Sequence, residues 1–222
     1  MVLRFFQSGG KDKLDHAQGL LQEMLANDRH SFEIATAALL TGQDAGAVGT
    51  DLRDTDRLVN EAEREVRRDL VVHASVHGTS QVSAVLIYMS IVKDVERIGD
   101  YAKNIFDVAN GGADLSEQSD SAELIGYRDR ISEMITEVAR AFVAEDADAA
   151  NALITEADGM QDEFDAKVAV LVMSDRLGSE AVPRALLFRY YKRIIGHLMN
   201  VLSAVIMPLD RLDYYDEPKN DR

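Results

Sequence analysis

Cysteine is absent from the 222 residues, which excludes disulfides and every metal site built on thiolates. That composition fits a reducing compartment. Proline occurs only three times, too seldom to interrupt long helices. Long apolar runs are also missing. Ser83 to Val92 and Val201 to Met207 are the densest, and both fall short of the roughly 18 residues of a membrane-spanning helix. The opening stretch, Met1 to Gly10, lacks the apolar length of a secretory signal. Positive charge is scarce: 24 basic residues face 39 acidic ones, a net charge of −15. No basic stripe with interleaved aromatics occurs, so phosphate backbones are repelled and direct nucleic-acid binding is not expected. The same sign favours cations and basic partner surfaces.

What is plentiful is apolar residues, 46% of the chain, set in a helical rhythm. Val85, Tyr88, Val92, Val95, Gly99, Ala102, Phe106 and Ala109 recur at steps of three and four, and Ile91, Ile98 and Ile105 widen that stripe. The pattern predicts a long helix packed in a bundle, over about Thr79 to Asn110. Similar rhythms predict helices over about Asp12 to Thr41, from Thr50 or Asp51 to His77, Ser121 to Glu145, Asp148 to Met173 and Val182 to Arg211. The polar patch Asn27 to His30 reads as a kink or an outer face of the first helix. Ser174 to Pro183 reads as a connection. Gly111-Gly112 is the strongest break. The expected fold is therefore all-α, with two tandem antiparallel three-helix bundles, residues 1–112 and 113–222.

The halves show a weak internal repeat. Val95 to Ile105 can be laid on Tyr191 to Val201, with Arg97/Arg193, Ile98/Ile194 and Asn104/Asn200 coinciding. Asp56 to Val66 can be laid on Asp158 to Val168.

Glu96 and Asp100 lie one helical turn apart at the border of the apolar stripe, so both carboxylates project the same way. Side by side they repel. A hard or borderline cation would convert that repulsion into binding. The plainer alternative is a solvated pair with Lys93, Arg97 and Lys103 as helix partners. Asp56, Asn60 and Glu63 line one face of the preceding helix. Gly99 in mid-helix costs roughly 1 kcal/mol against alanine and points to close approach of another helix. His73 and His77 are a second i,i+4 pair. They read either as metal ligands or as bases favoured by a helix C-terminus.

The segment Glu96-Arg97-Ile98-Gly99-Asp100 followed by Tyr101-Ala102-Lys103-Asn104-Ile105 resembles the signature of the PhoU family of phosphate-uptake regulators. Tyrosine stands where that family usually has histidine. Asp56 to Glu63 resembles the family's preceding helix, and the duplicated six-helix layout extends the likeness over almost the whole chain. The resemblance implies a cytoplasmic, non-enzymatic regulator, homodimeric, with surface metal. The metal would be iron or zinc, with magnesium or manganese as alternatives, held by Glu96 and Asp100 with help from Asp56, Asn60 or Glu63. It implies as partners the subunits of a phosphate ABC transporter and a sensor histidine kinase, with only peripheral attachment to membrane complexes. The second half departs from the pattern. Lys192 and Gly196 replace the acidic pair, so metal is expected there only if Asp158, Asp162 and His197 supply ligands. Two other classes compete. A ferritin-like metal enzyme would need paired Glu-x-x-His motifs, and none of the five histidines follows a glutamate by three. A plain scaffold bundle would bind a partner helix without metal.

Overall fold

The computed structural model describes residues 11–216. Six long helices carry the chain: α1 (Lys11–Leu40), α2 (Ala45–His77), α3 (Val82–Asn110), α4 (Ser121–Ala144), α5 (Ala147–Val172) and α6 (Gly178–Ile206). Single 3-10 turns occur at Gly78–Gln81, Leu209–Arg211 and Tyr214–Asp216. No strand occurs among the described residues. The expected all-α architecture of two three-helix units is observed.

Each helix forms where an apolar stripe can be buried. In α1 the stripe is Ala17, Leu21, Met24, Leu25, Phe32, Ala35 and Leu39, all but inaccessible. In α3 it is Ile87, Ile91, Val92, Val95, Ile98, Ala102 and Ile105. In α6 it is Leu187, Tyr191, Ile194, Ile195, Leu198 and Leu202. The stripes of both units merge into one continuous core. α3 and α6 meet across the middle and run antiparallel, because Asp94 pairs with Asn200 while the Tyr101 ring lies against that of Tyr190. α1 meets α4 through Arg29, whose guanidinium donates to Ser132 and Thr136 at 2.8 and 2.9 Å. The link between units is tied down as well. Leu115 is buried and its amide donates to the Leu39 carbonyl at 2.9 Å.

Several boundaries differ from expectation. α2 starts at Ala45, five residues before Thr50, and its cap is Asp44, whose side chain accepts from the Gly46 amide. Gly46 and Gly49 are thus both helical. At Gly49 packing explains the glycine, since a Cβ there would stand 2.9 Å from the Phe106 ring. α6 starts at Gly178 and holds Pro183 near its start, so the second part of the predicted 174–183 connection is helix. As the sixth residue of the helix, Pro183 has no N–H to give to the Ser179 carbonyl, so the opening of α6 forgoes one intrahelical hydrogen bond. In α5 Ala152 is exposed, while Leu153, Ile154 and Ala157 are buried.

Within Ala45–Asn110 an 18-residue window has a mean hydropathy of 1.3 with 22% of it buried, enough in length and composition for a membrane span. The chain reverses inside that span, where Gly78 takes φ +61° between α2 and α3. Val71, Val72, Val76, Val82 and Leu86 are exposed around this reversal.

Candidate functional site

Asp56, Asn60 and Glu63 on α2 face Glu96 and Asp100 on α3, and two lysines of α3 stitch the seam. The Lys103 ammonium stands 2.5 Å from Asp56 Oδ1 and 2.8 Å from Asp100 Oδ1. The Lys93 ammonium stands 2.5 Å from Glu96 Oε2 and 3.9 Å from Glu63 Oε1. Arg67 stands 2.8 Å from the same Glu63 oxygen, without the alignment of a hydrogen bond. Asn60 donates its amide to Asp56 Oδ2 at 3.0 Å. All five predicted residues therefore share one seam, in two charge groups. Glu63 is buried, whereas the Asp100 side chain keeps 43% of its exposure. Among the described residues, no three aspartate, glutamate or histidine groups are already converged as a metal cage.

The residue that sequence reasoning missed is Asp28. It lies in the polar patch assigned to a kink or an outer face, yet it is wholly inaccessible. It occupies the position in the α1 core stripe between Leu25 and Phe32. Neither of its oxygens has a hydrogen-bond partner among the described residues. Burial pushes its carboxyl well above the usual range, and Glu96, Asp100 and Asp56 push it further, against a smaller opposing pull from Lys103. Two signals were present in the sequence: a carboxylate at a core-stripe position, and Gly99 on α3. A Cβ on residue 99 would come within 2.6 Å of Asp28 Oδ1. The close approach inferred from Gly99 is real, and what approaches is this carboxylate.

Lys103 answers the same field. Burial pulls its ammonium down, but the hydrogen bonds to Asp100 and Asp56 outweigh that and hold it above the ordinary lysine value.

The Gly99–Asp28 contact makes a prediction whose sign depends on background. In the wild type, Gly99→Ala forces a buried carboxylate aside, an overpacking cost of about 1–3 kcal/mol, against a helix-propensity gain of about 1 kcal/mol. The variant is expected to be less stable in urea denaturation. In an Asp28→Ala background the obstruction is gone, and the same substitution should stabilise by up to about 1 kcal/mol. Equal effects in both backgrounds would refute the contact.

The second unit is built differently at the equivalent place. Lys192 pairs with Asp165, and Gly196 faces Gln161, whose Nε2 lies 3.1 Å from where a Cβ would stand. Gln161 also donates to the Lys192 carbonyl at 3.3 Å. His197 is turned inward, with Nδ1 at 2.8 Å from Asp94 Oδ1. His73 and His77 lie ring to ring, 4.4 Å between centroids. Burial first, and the His77 charge second, hold His73 below the usual histidine value.

Residues 21–109 match the PhoU domain family, 89 of the 222 residues. The fold matches the crystal structure of PhoU from Pseudomonas aeruginosa with a TM-score of 0.76 and 22% identity, over 91% of this chain and 99% of that one. It matches the phosphate transport system regulatory protein PhoU from Streptococcus pneumoniae with a TM-score of 0.69 and 16% identity, over 87% of this chain and 94% of that one. No curated protein matches the sequence. The matched domain holds α3 and the whole Asp28–Asp56–Glu96–Asp100 seam, and the solved relatives share the six-helix layout around it. Residues 21–109 thus match the PhoU domain, and the chain as a whole shares the fold of the solved PhoU proteins.

Proposed function

We propose that this protein is a non-enzymatic regulator of phosphate uptake and phosphate-starvation signalling, working by contact with a phosphate ABC transporter, a sensor histidine kinase or both. The observation that carries this reading is the PhoU domain at residues 21–109 within a chain that shares its fold with solved PhoU proteins along nearly their full length. The working form is a cytoplasmic homodimer that docks on the membrane complex from the aqueous side. Its strong negative charge, −15, suits a basic partner surface.

The contact depends on a bound metal in the first unit. The residues fit one. Asp28 presents two unbonded, buried oxygens beside the seam, and the surrounding donors are carboxylates and one side-chain amide, a set suited to hard cations. Glu96, Asp100 and Asp56 would hold it, with Asn60 and Glu63 in support. The ion supplies positive charge that binds α2 to α3 and fixes the shape of the surface they share. The second unit, with Lys192 and Gly196 in place of acids, takes no metal at the equivalent position. Of the four cations, magnesium and manganese suit this oxygen set better than zinc.

A metal-free scaffold is the second reading. It is favoured by Lys103, Lys93 and Arg67, which already pair with the seam's carboxylates.

The test is genetic and biochemical together. Deleting the gene should raise phosphate uptake in phosphate-rich medium and switch on starvation genes constitutively. The wild-type chain should restore control and capture transporter subunits from detergent-solubilised membranes. Unchanged uptake and unchanged starvation-gene expression on deletion would overturn the regulatory reading. Full complementation by the Glu96→Ala, Asp100→Ala double variant would favour the scaffold.

A further inference from the structure

We propose that Asp28 of α1 is the inner ligand of a cation site spanning α1, α2 and α3, and that Lys103 is a built-in competitor for that site. The proposal rests on the metal reading of the seam given above and extends it to a third helix.

The first observation is an unpartnered group. A carboxylate in a core stripe is costly unless something compensates it. Asp28 is wholly buried and neither oxygen is hydrogen-bonded among the described residues. The second observation is where it points. Its Oδ1 lies 2.6 Å from the Cβ position of residue 99. It therefore lies against α3 between Glu96, three residues before, and Asp100, one residue after. Glu96, Asp100 and Asp56 each act on it as like charges. A purely structural carboxylate gains nothing from three repulsive neighbours on two helices. One cation among them changes the sign of every interaction.

The third observation is the lysine. Lys103 is the attractive charge acting on Asp28, but its ammonium is bonded to Asp56 and Asp100. It holds two of the oxygens a metal would take. Its side chain keeps 35% of its exposure, so the ammonium can swing into solvent when a cation takes its place. Metal entry thus exchanges one internal counter-ion for another and adds Asp28, which the lysine leaves unbonded. The fitting ligand class is a divalent cation with a preference for oxygen donors.

The test uses the full chain stripped with chelator and titrated with Mn²⁺ by calorimetry, alongside thermal unfolding with and without Mn²⁺. Asp28→Asn should weaken binding by at least the roughly tenfold that loss of even an outer-shell partner costs. Lys103→Met should tighten it. Without metal, Asp28→Asn should unfold at a higher temperature than the wild type, and saturating Mn²⁺ should reverse that order. Binding by Asp28→Asn as tight as wild type, with Glu96→Ala and Asp100→Ala together abolishing it, would overturn the role of Asp28 while leaving the metal site on α2 and α3 intact. Unaltered affinity in Lys103→Met would overturn the competition. If wild type and Lys103→Met both fail to bind Mn²⁺, Fe²⁺ and Zn²⁺, this proposal and the metal reading fall together, while the transport phenotype is judged separately by the deletion strain.

Discussion

Replacing Arg184 with alanine is expected to cost the fold about 3 kcal/mol, the low end for breaking a buried ion pair. The loss should appear as a lower midpoint in urea denaturation. The Arg184 side chain keeps only 2% of its exposure. Its Nε and Nη2 donate to the two oxygens of Asp120 at 2.7 and 2.8 Å. Nη2 also donates to Gln118 Oε1 at 3.2 Å, and Nη1 to the Glu180 carbonyl at 2.7 Å. One guanidinium thus joins the segment linking the two units to the start of α6. Asp120 retains 24% exposure, so water softens the loss and the low end applies. Lysine is not a conservative replacement, because an ammonium cannot form the planar fork. Arg184→Lys should lose about 1–2 kcal/mol. The pH dependence has a definite sign. The hydrogen bonds from Arg184 hold the Asp120 carboxyl below its usual value, outweighing burial. A depressed folded value means the stabilisation is complete above the unfolded carboxylate's value, about 4. It is lost as pH falls through the lower folded value. The gap between wild type and Arg184→Ala should be constant from about pH 6 to 8 and narrow below about pH 4. A gap that widens in acid would contradict this assignment.

Replacing Asp94 with alanine should cost a similar amount, about 3 kcal/mol, and should act on the joint between the units. Asp94, His197 and Asn200 are all buried. Asp94 Oδ1 accepts from Asn200 Nδ2 at 3.1 Å and lies 2.8 Å from His197 Nδ1. Tyr101 stacks on the His197 ring, 5.7 Å between centroids at 23°. Asp94 belongs to the first unit and both partners to the second. The alanine variant leaves a buried imidazole nitrogen without its acceptor and gives up the hydrogen bond from Asn200. Asp94→Asn keeps an acceptor oxygen but loses the charge, so its cost should be about half. Scanning calorimetry should show both variants unfolding below the wild type, alanine lowest. An alanine variant within about 0.5 kcal/mol of wild type, the range of ordinary surface changes, would show that the joint is held by apolar packing alone.

These residues show where sequence reading reaches its limit. The segment Asp94 to Ile105 carries both the apolar rhythm and the acidic i,i+4 pair, and the structure places two packed faces on it. Glu96 and Asp100 turn toward α2, as their spacing and the family likeness imply. Asp94 and Tyr101 turn toward α6, a role with no local signature, because their partners, Tyr190, His197 and Asn200, lie on a helix far along the chain. Arg184 was missed for a related reason. It stands just after Pro183 in the first turn of the helix predicted over Val182 to Arg211, and a buried arginine is indistinguishable by sequence from a surface one until its carboxylate partner is placed.

The sequence by itself determined the helical class, the buried stripes, the lack of acids at Lys192 and Gly196, and the two polar rows, Asp56, Asn60 and Glu63 on one helix and Glu96 and Asp100 on the next, that line the α2–α3 seam. All of these follow from periodicity and residue type within one or two helices, the range over which spacing fixes direction. Only the tertiary structure decided that Asp28 joins that seam, that Lys103 and Lys93 lie across it, and that His197 serves the joint between units rather than a second site. Each depends on how one helix is rotated and shifted against another. That is set by the packing of the whole core, and no local pattern records it.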